Sequence, residues 1–154
     1  IMPVLGQTAI EAQKQIFKDN RAKLRKAFAE LNKNGWFARM NYGSCNSDFL
    51  YNTPDDKPCI AFHSQDEKKI MEYGYVYLWH HCETNIEPHD SDDHKWGSDV
   101  YEKDNIARAW EAVAMLSKHG LDVDWSGDAR HRIRVTLNKN IDEFGWDKYR
   151  WMNV

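Results

Sequence analysis

The run Tyr75-Val-Tyr-Leu-Trp-His80, preceded by Gly74, is the strongest strand signal in the chain. Aromatic and β-branched side chains fit a pleated, half-buried surface, so this stretch is expected at the centre of a sheet. Upstream of it, Gln65 to Tyr73 is charged enough for a short helix or turn ending at Gly74, and Cys59 to His63 reads as a second strand. Gly43 to Lys57 is rich in Ser, Asn and Asp, contains Pro54 and is followed by Pro58, which marks a loop. Trp36 to Tyr42 alternates as a half-buried strand does.

Further upstream, Ile10, Phe17, Leu24, Phe28 and Leu31 recur at helical spacing, which predicts a helix from Thr8 to about Lys33. Thr8 with Glu11 fits a capping box, and Asn34-Gly35 can close the far end in a left-handed conformation. The outer face carries Lys14, Lys18, Arg21, Lys23, Arg25, Lys26 and Lys33 against Glu11, Asp19 and Glu30, a local balance of +4. Downstream of the central strand, Glu83 to Asp104 holds eight acidic and two basic residues, a balance of −6, and reads as a long loop. Asp104 is then the expected N-cap of a second long helix with core positions Ile106, Ala109, Trp110, Val113 and Leu116, closing at His119-Gly120. Leu121 to Trp125 and Ile133 to Leu137 both alternate and are expected to pair, with Ser126-Gly127-Asp128 at the reversal. The tail after Asn138 carries Ile141, Phe144, Trp146, Tyr149 and Trp151 and is expected to pack back.

This order predicts an α+β fold: a single layer of mainly antiparallel sheet, about five strands, with two long helices on one face. At 154 residues, 42% hydrophobic and with 7 Trp, 7 Tyr and 6 Phe, the chain is long and aromatic enough for one globular domain over 1–154 and is not a disordered polymer. The predicted core is Phe17, Leu24, Phe28, Phe37, Ile60, Phe62, Val76, Leu78, Trp110, Val113, Leu116, Val123, Ile133 and Val135. A net charge of −3 disfavours a surface built wholly for phosphates, so nucleic acid is not the expected partner. No run reaches the about 18 apolar residues of a membrane span. Three cysteines without paired spacing, and no secretory leader at the start of the sequence, point to a reducing, cytoplasmic setting.

Four kinds of chemistry are open to these residues. A divalent cation such as zinc could use His63, His80, His89 and His94, although His80 and the adjacent His81 must point to opposite faces of a strand. Cys45 is a conceivable nucleophile, but no pKa-lowering neighbour is evident. Asp122 and Asp124 share a strand face, as in any strand with one wet side. Arg130, His131, Arg132 and Arg134 cluster beside Trp125; they fit either an anion surface or, as the favoured reading, protection of an edge strand from unwanted pairing. No Walker or dinucleotide fingerprint occurs.

Gly35-Trp-Phe-Ala-Arg-Met-Asn-Tyr42 followed by Cys45, then Ala61-Phe-His-Ser-Gln-Asp66, Tyr75-x-Tyr-Leu78, Leu121-x-Val-x-Trp125-x-Gly127 and Arg132-Ile-x-Val135 together resemble a family of small, functionally uncharacterised bacterial domains. The resemblance covers about residues 22 to 137. That family carries a Cys-Cys-x-x-Cys-like cluster after the Asn, where this chain has Ser44, Cys45 and Asp48, so the metal role the cluster would imply does not transfer. The resemblance implies a fold but no reaction.

The leading functional expectation is therefore a soluble, non-enzymatic module that needs no cofactor. It would dock on another protein through a charge-polarised, Trp-rich surface including Lys18, Arg21, Arg25, Glu87, Asp90, Asp92, Asp93 and Trp96. One alternative is a small metal-assisted hydrolase or nucleotide-directed enzyme using His63, Asp66, His80 and the acidic loop from Glu83 to Asp104. A second is a small-molecule or nucleotide-binding protein with Arg39, Asn41, Gln65 and Asp66 around a pocket at the strand ends.

Overall fold

A computed structural model of the chain describes residues 7–42, 54, 57–82 and 99–138. Among the described residues the elements are α1 (Gln7–Lys33), β1 (Phe37–Arg39), β2 (Cys59–Ala61), α2 (Ser64–Tyr73), β3 (Tyr75–His81), α3 (Asp99–Lys118), β4 (Asp122–Asp124) and β5 (Ile133–Thr136). The strands form one sheet in the order β1-β2-β3-β5-β4, with β1 and β2 parallel and every other neighbouring pair antiparallel. The α+β architecture is thus the one expected, with β3 central, and the stretch before Gly74 forms the short helix α2.

Register divides the sheet into two faces. Ala38, Ile60, Val76, Leu78, Ile133 and Val135 are buried on one side, together with His80. Leu24, Ala27, Phe28 and Leu31 of α1, Ile70 of α2, and Ala109, Ala112 and Leu116 of α3 join them in one hydrophobic cluster. Small residues at Ala27, Ala109 and Ala112 let backbones approach closely where larger side chains would hold them apart.

Both long helices stop by the same device. Gly35 and Gly120 adopt φ of 89° and 84°, a region that costs glycine nothing. The amides of Trp36 and Leu121 then donate back to the carbonyls of Leu31 (3.0 Å) and Leu116 (3.3 Å). These are Schellman closures in which the residue past the glycine also buries its side chain. Two asparagines act as substitute strand partners. Asn32 of α1 accepts from the Ala38 amide (2.9 Å) and donates to its carbonyl (3.0 Å), covering the outer edge of β1. Asn105 of α3, 3% exposed, does the same for Cys82 at the end of β3 (2.7 and 3.0 Å).

Several expectations are corrected. Helix α1 starts at Gln7, so Thr8 lies inside the first turn and is not the cap. Helix α3 starts at Asp99, and Asp104 is a buried residue within it, so the end of the expected loop, 99–104, is helical. Trp110 is 50% exposed because the inward line of α3 runs through Asn105, Ala109, Ala112 and Leu116, one position to its side. Phe17, Val113 and Val123 are half-buried against the core, while Phe37 sits on the opposite sheet face with Arg39 4.3 Å above its ring. The connection from β4 to β5 is a wider reversal than a tight hairpin, with Gly127 at φ 87°. No helix among the described residues is long and apolar enough to cross a membrane.

Candidate functional site: the open face of the sheet

On the face away from the helices, β3 presents Tyr75, Tyr77, Trp79 and His81, each half-buried or exposed, between the sealed positions Val76, Leu78 and His80. Tyr73 at the end of α2 stacks on Tyr75 (5.8 Å), Tyr75 meets Tyr77 edge-to-face (5.5 Å), and Trp79 packs on His81 (4.6 Å). Such pairs hold large rings in fixed, partly wet positions. Across the sheet, Tyr77 lies opposite Arg134, which lies opposite Asp124, and Tyr75 opposite Thr136, which lies opposite Asp122. The Arg134 guanidinium stands 5.8 Å over the Tyr75 ring and its Nη2 reaches Asp124 Oδ2 at 3.2 Å. Its Nε is buried without a hydrogen-bond partner.

At the β4–β5 end this face runs into a groove of about 450 Å³ lined by Tyr77, Asp124, Trp125, Ser126, Arg130, His131, Arg132 and Arg134. Its wall is the reversal itself, which is fastened at several points. Asp128 takes a fork of bonds from Arg130 Nε and Nη2 (3.1 and 3.0 Å) and another from the Arg130 amide (2.9 Å). The Arg130 side-chain bonds, followed by its amide, hold the Asp128 carboxyl down at about 2. The Ser126 hydroxyl contacts His131 Nδ1 (2.8 Å) and accepts from the Asp128 amide (3.2 Å), so it serves the turn and is not poised as a nucleophile. Beneath the groove, the His131 carbonyl accepts from Trp125 Nε1 (3.0 Å) and from His80 Nε2 (2.8 Å). A carbonyl can only accept, so His80 carries its proton on Nε2; burial, the dominant influence, lowers its pKa and keeps it neutral. Trp125 stacks edge-to-face between His80 (5.7 Å) and Trp110 (4.8 Å).

The arginines on this strand require a different account from the one expected. Strand β5 lies between β3 and β4, so Arg132 and Arg134 guard no edge. Arg134 instead faces the open side among aromatic rings, and Arg132 Nη1 lies 4.0 Å from the buried Asp66 carboxylate. Recognising this needed the strand order, which no local pattern supplies; the only signal in the sequence was the closeness of Arg130 to Arg134 and Trp125.

The other candidate residues do not converge here. His63 and Asp66 are 5% exposed and form the capping box of α2: His63 Nδ1 accepts from the Asp66 amide (3.3 Å) and the carboxylate accepts from the His63 amide (3.4 Å). Gln65 is exposed beside it. Arg39 is engaged with Asn32 (2.8 Å) and stacked on Phe37, and Asn41 is exposed at φ 53°. None of Arg39, Asn41, Gln65 and Asp66 lines the groove. Among the described residues no three His, Cys, Asp or Glu side chains gather in a way that could hold a metal ion. His80 points inward and His81 outward, as alternation requires. Lys18 and Arg25 are exposed on α1 and Arg21 is half-buried. Cys45, Glu87, His89, Asp90, Asp92, Asp93, His94 and Trp96 lie outside the described residues. Of the tryptophans described, Trp36 and Trp125 are buried, Trp79 is half-buried and Trp110 is exposed, so tryptophan supplies only part of the open surface.

No curated protein and no solved structure matches the chain significantly. A family model described as a domain of unknown function (DUF6891) matches residues 8–141, from the first turn of α1 to just beyond β5. That extent takes in the described strands and nearly all of the described helices, and it agrees with the resemblance to an uncharacterised domain. On this match the chain belongs to the DUF6891 family, a domain of unknown function.

Proposed function

We propose that this domain is a non-enzymatic binding module that docks on another protein through the open face of its sheet. The observation that carries the reading is that Arg134 sits on an interior strand and still faces outward, next to Tyr75 and Tyr77. A side chain there neither fills the core nor blocks an edge. Tyr, Trp and Arg are the residue types that dominate the centres of protein interfaces, because they bring large contact area at modest entropic cost. Tyr73 and Tyr77 are 39% and 42% exposed, and Asp122 and Asp124 give the surface a polar rim. The exposed Lys18 and Arg25 on α1 form a separate positive patch available to steer an approaching partner.

The reading is tested by affinity capture from the native host with the intact chain, followed by titration of the purified captured protein. The expected result is a partner depleted about tenfold by Tyr77→Ala, a loss typical of an interface anchor. The variant should keep its unfolding midpoint to within about 3 °C, as befits an exposed position. Equal capture by wild type and Tyr77→Ala contradicts the proposal.

A further inference from the structure

We infer that the groove at the β4–β5 end of the open face receives the carboxylates of an acidic segment of the partner protein; this rests on the docking reading above. Three guanidinium groups, Arg130, Arg132 and Arg134, line the groove; Arg130 is held in a fork by Asp128 and Arg132 lies 4.0 Å from the Asp66 carboxylate, whereas Arg134 reaches Asp124 through one nitrogen alone. The guanidinium fork matches a carboxylate in two parallel bonds. Arg134 is incompletely used: Nη2 shares Asp124 at 3.2 Å and Nε has no hydrogen-bond partner. A modest turn of this guanidinium exchanges one exposed intramolecular pair for a two-point bond to an incoming carboxylate and gives Nε an acceptor. The exchange is cheap because an exposed ion pair contributes little.

The shape of the site decides between kinds of acid. The groove opens onto the sheet surface and continues into the tyrosine ladder, whereas small-ligand sites enclose most of their ligand. An extended peptide can lay its acidic side chains against Arg132 and Arg134 and an adjacent apolar one against Tyr77. A nucleic-acid strand could also stack on these rings. Its regularly spaced phosphates would, however, meet Asp122 and Asp124 on the same face, as a peptide with a few carboxylates need not. The wall is already ordered by the Asp128–Arg130 fork, so binding does not have to organise it.

The test is calorimetric or tryptophan-fluorescence titration of the intact chain with capped hexaglutamate, with capped hexaglutamine as the neutral control. Hexaglutamate is expected to bind, more weakly as salt rises, and hexaglutamine to show no binding. Arg134→Ala and Arg132→Ala should each weaken hexaglutamate about tenfold, and Arg134→Lys, which keeps the charge but loses the fork, should fall between. Lys118→Ala, an exposed position at the end of α3 outside the groove lining, should leave it unchanged. The inference is overturned if hexaglutamate fails to bind, if Arg134→Ala binds as wild type does, if Lys118→Ala weakens binding as much, or if oligothymidylate binds more tightly. Unfolding midpoints of each variant exclude loss through misfolding. Partner capture that depends on Tyr77 but not on Arg134 would overturn carboxylate recognition while leaving the docking surface standing.

Discussion

On the inner side of the sheet, Val76, Leu78, Ile133 and Val135 are sealed at 2% exposure or less, while one residue along the same strands Tyr77 is exposed and Arg134 half-buried. The two faces share one backbone and one register, so the difference between them is purely one of side-chain chemistry. The inner face holds compact aliphatic side chains whose value is their volume and their removal from water. A wet face needs only polarity, which small or flexible side chains provide. This one carries tyrosines, a tryptophan, a histidine and an arginine in stacked order, more than solubility requires. The comparison teaches that the inner face specifies the fold, and that the outer one is where a function can be sought.

The comparison breaks if inner and outer substitutions have similar consequences. The largest effect is expected at Leu78, fully buried on β3. Leu78→Ala should lower unfolding free energy by about 3 kcal/mol through lost transfer energy and a residual cavity, measured by urea denaturation. Next is Asn105→Ala, at about 2 kcal/mol, since it strips both hydrogen bonds from the buried Cys82 backbone. The same assay should show only a modest midpoint change for Asn34→Ala, whose amide is exposed.

A smaller effect depends on pH. His80 is buried, its pKa is lowered below the ordinary 6.5 by that burial, and its neutral Nε2–H donates to the His131 carbonyl. Between its folded and unfolded pKa the unfolded chain binds more protons. Stability is therefore complete above 6.5 and declines as pH falls below it. Thermal midpoints measured from about pH 8 to about pH 5 should fall in wild type and fall less in His80→Gln, which keeps a donor without the titration. Smallest is Tyr77→Ala, which should cost under about 1 kcal/mol of stability because the side chain is exposed and its ring contact is the edge-to-face one with Tyr75 on the same strand.

The central strand and the two helix stops were legible because their signals are local: the aromatic run at 75–80, and a glycine placed one residue past an apolar helical stretch. The start of α3 was hidden for a physical reason. Asn105 occupies an inward position as a hydrogen-bonding clamp, so the apolar periodicity begins only at Ile106 and Asp104 looked like a cap. Trp110 was read as core from its hydrophobicity, whereas the helix is phased by Ala109 and Ala112, small residues that carry a weak pattern signal. For the site, the residues Arg130 to Arg134 and Trp125 were visible as a cluster, but their role depended on β5 being interior. That is a long-range pairing fact with no counterpart in residue spacing. His63 and Asp66 looked like chemistry because a capping box uses the same atoms as a catalytic pair.

The claim that the outward-facing rings and guanidinium do the binding is tested most directly with the double variant Tyr77→Ala/Arg134→Ala. Its affinity for the captured partner should be determined alongside its urea midpoint. The account predicts loss of about two orders of magnitude in affinity if the two contributions add, with a midpoint near that of wild type. Undiminished affinity in a folded double variant would contradict it.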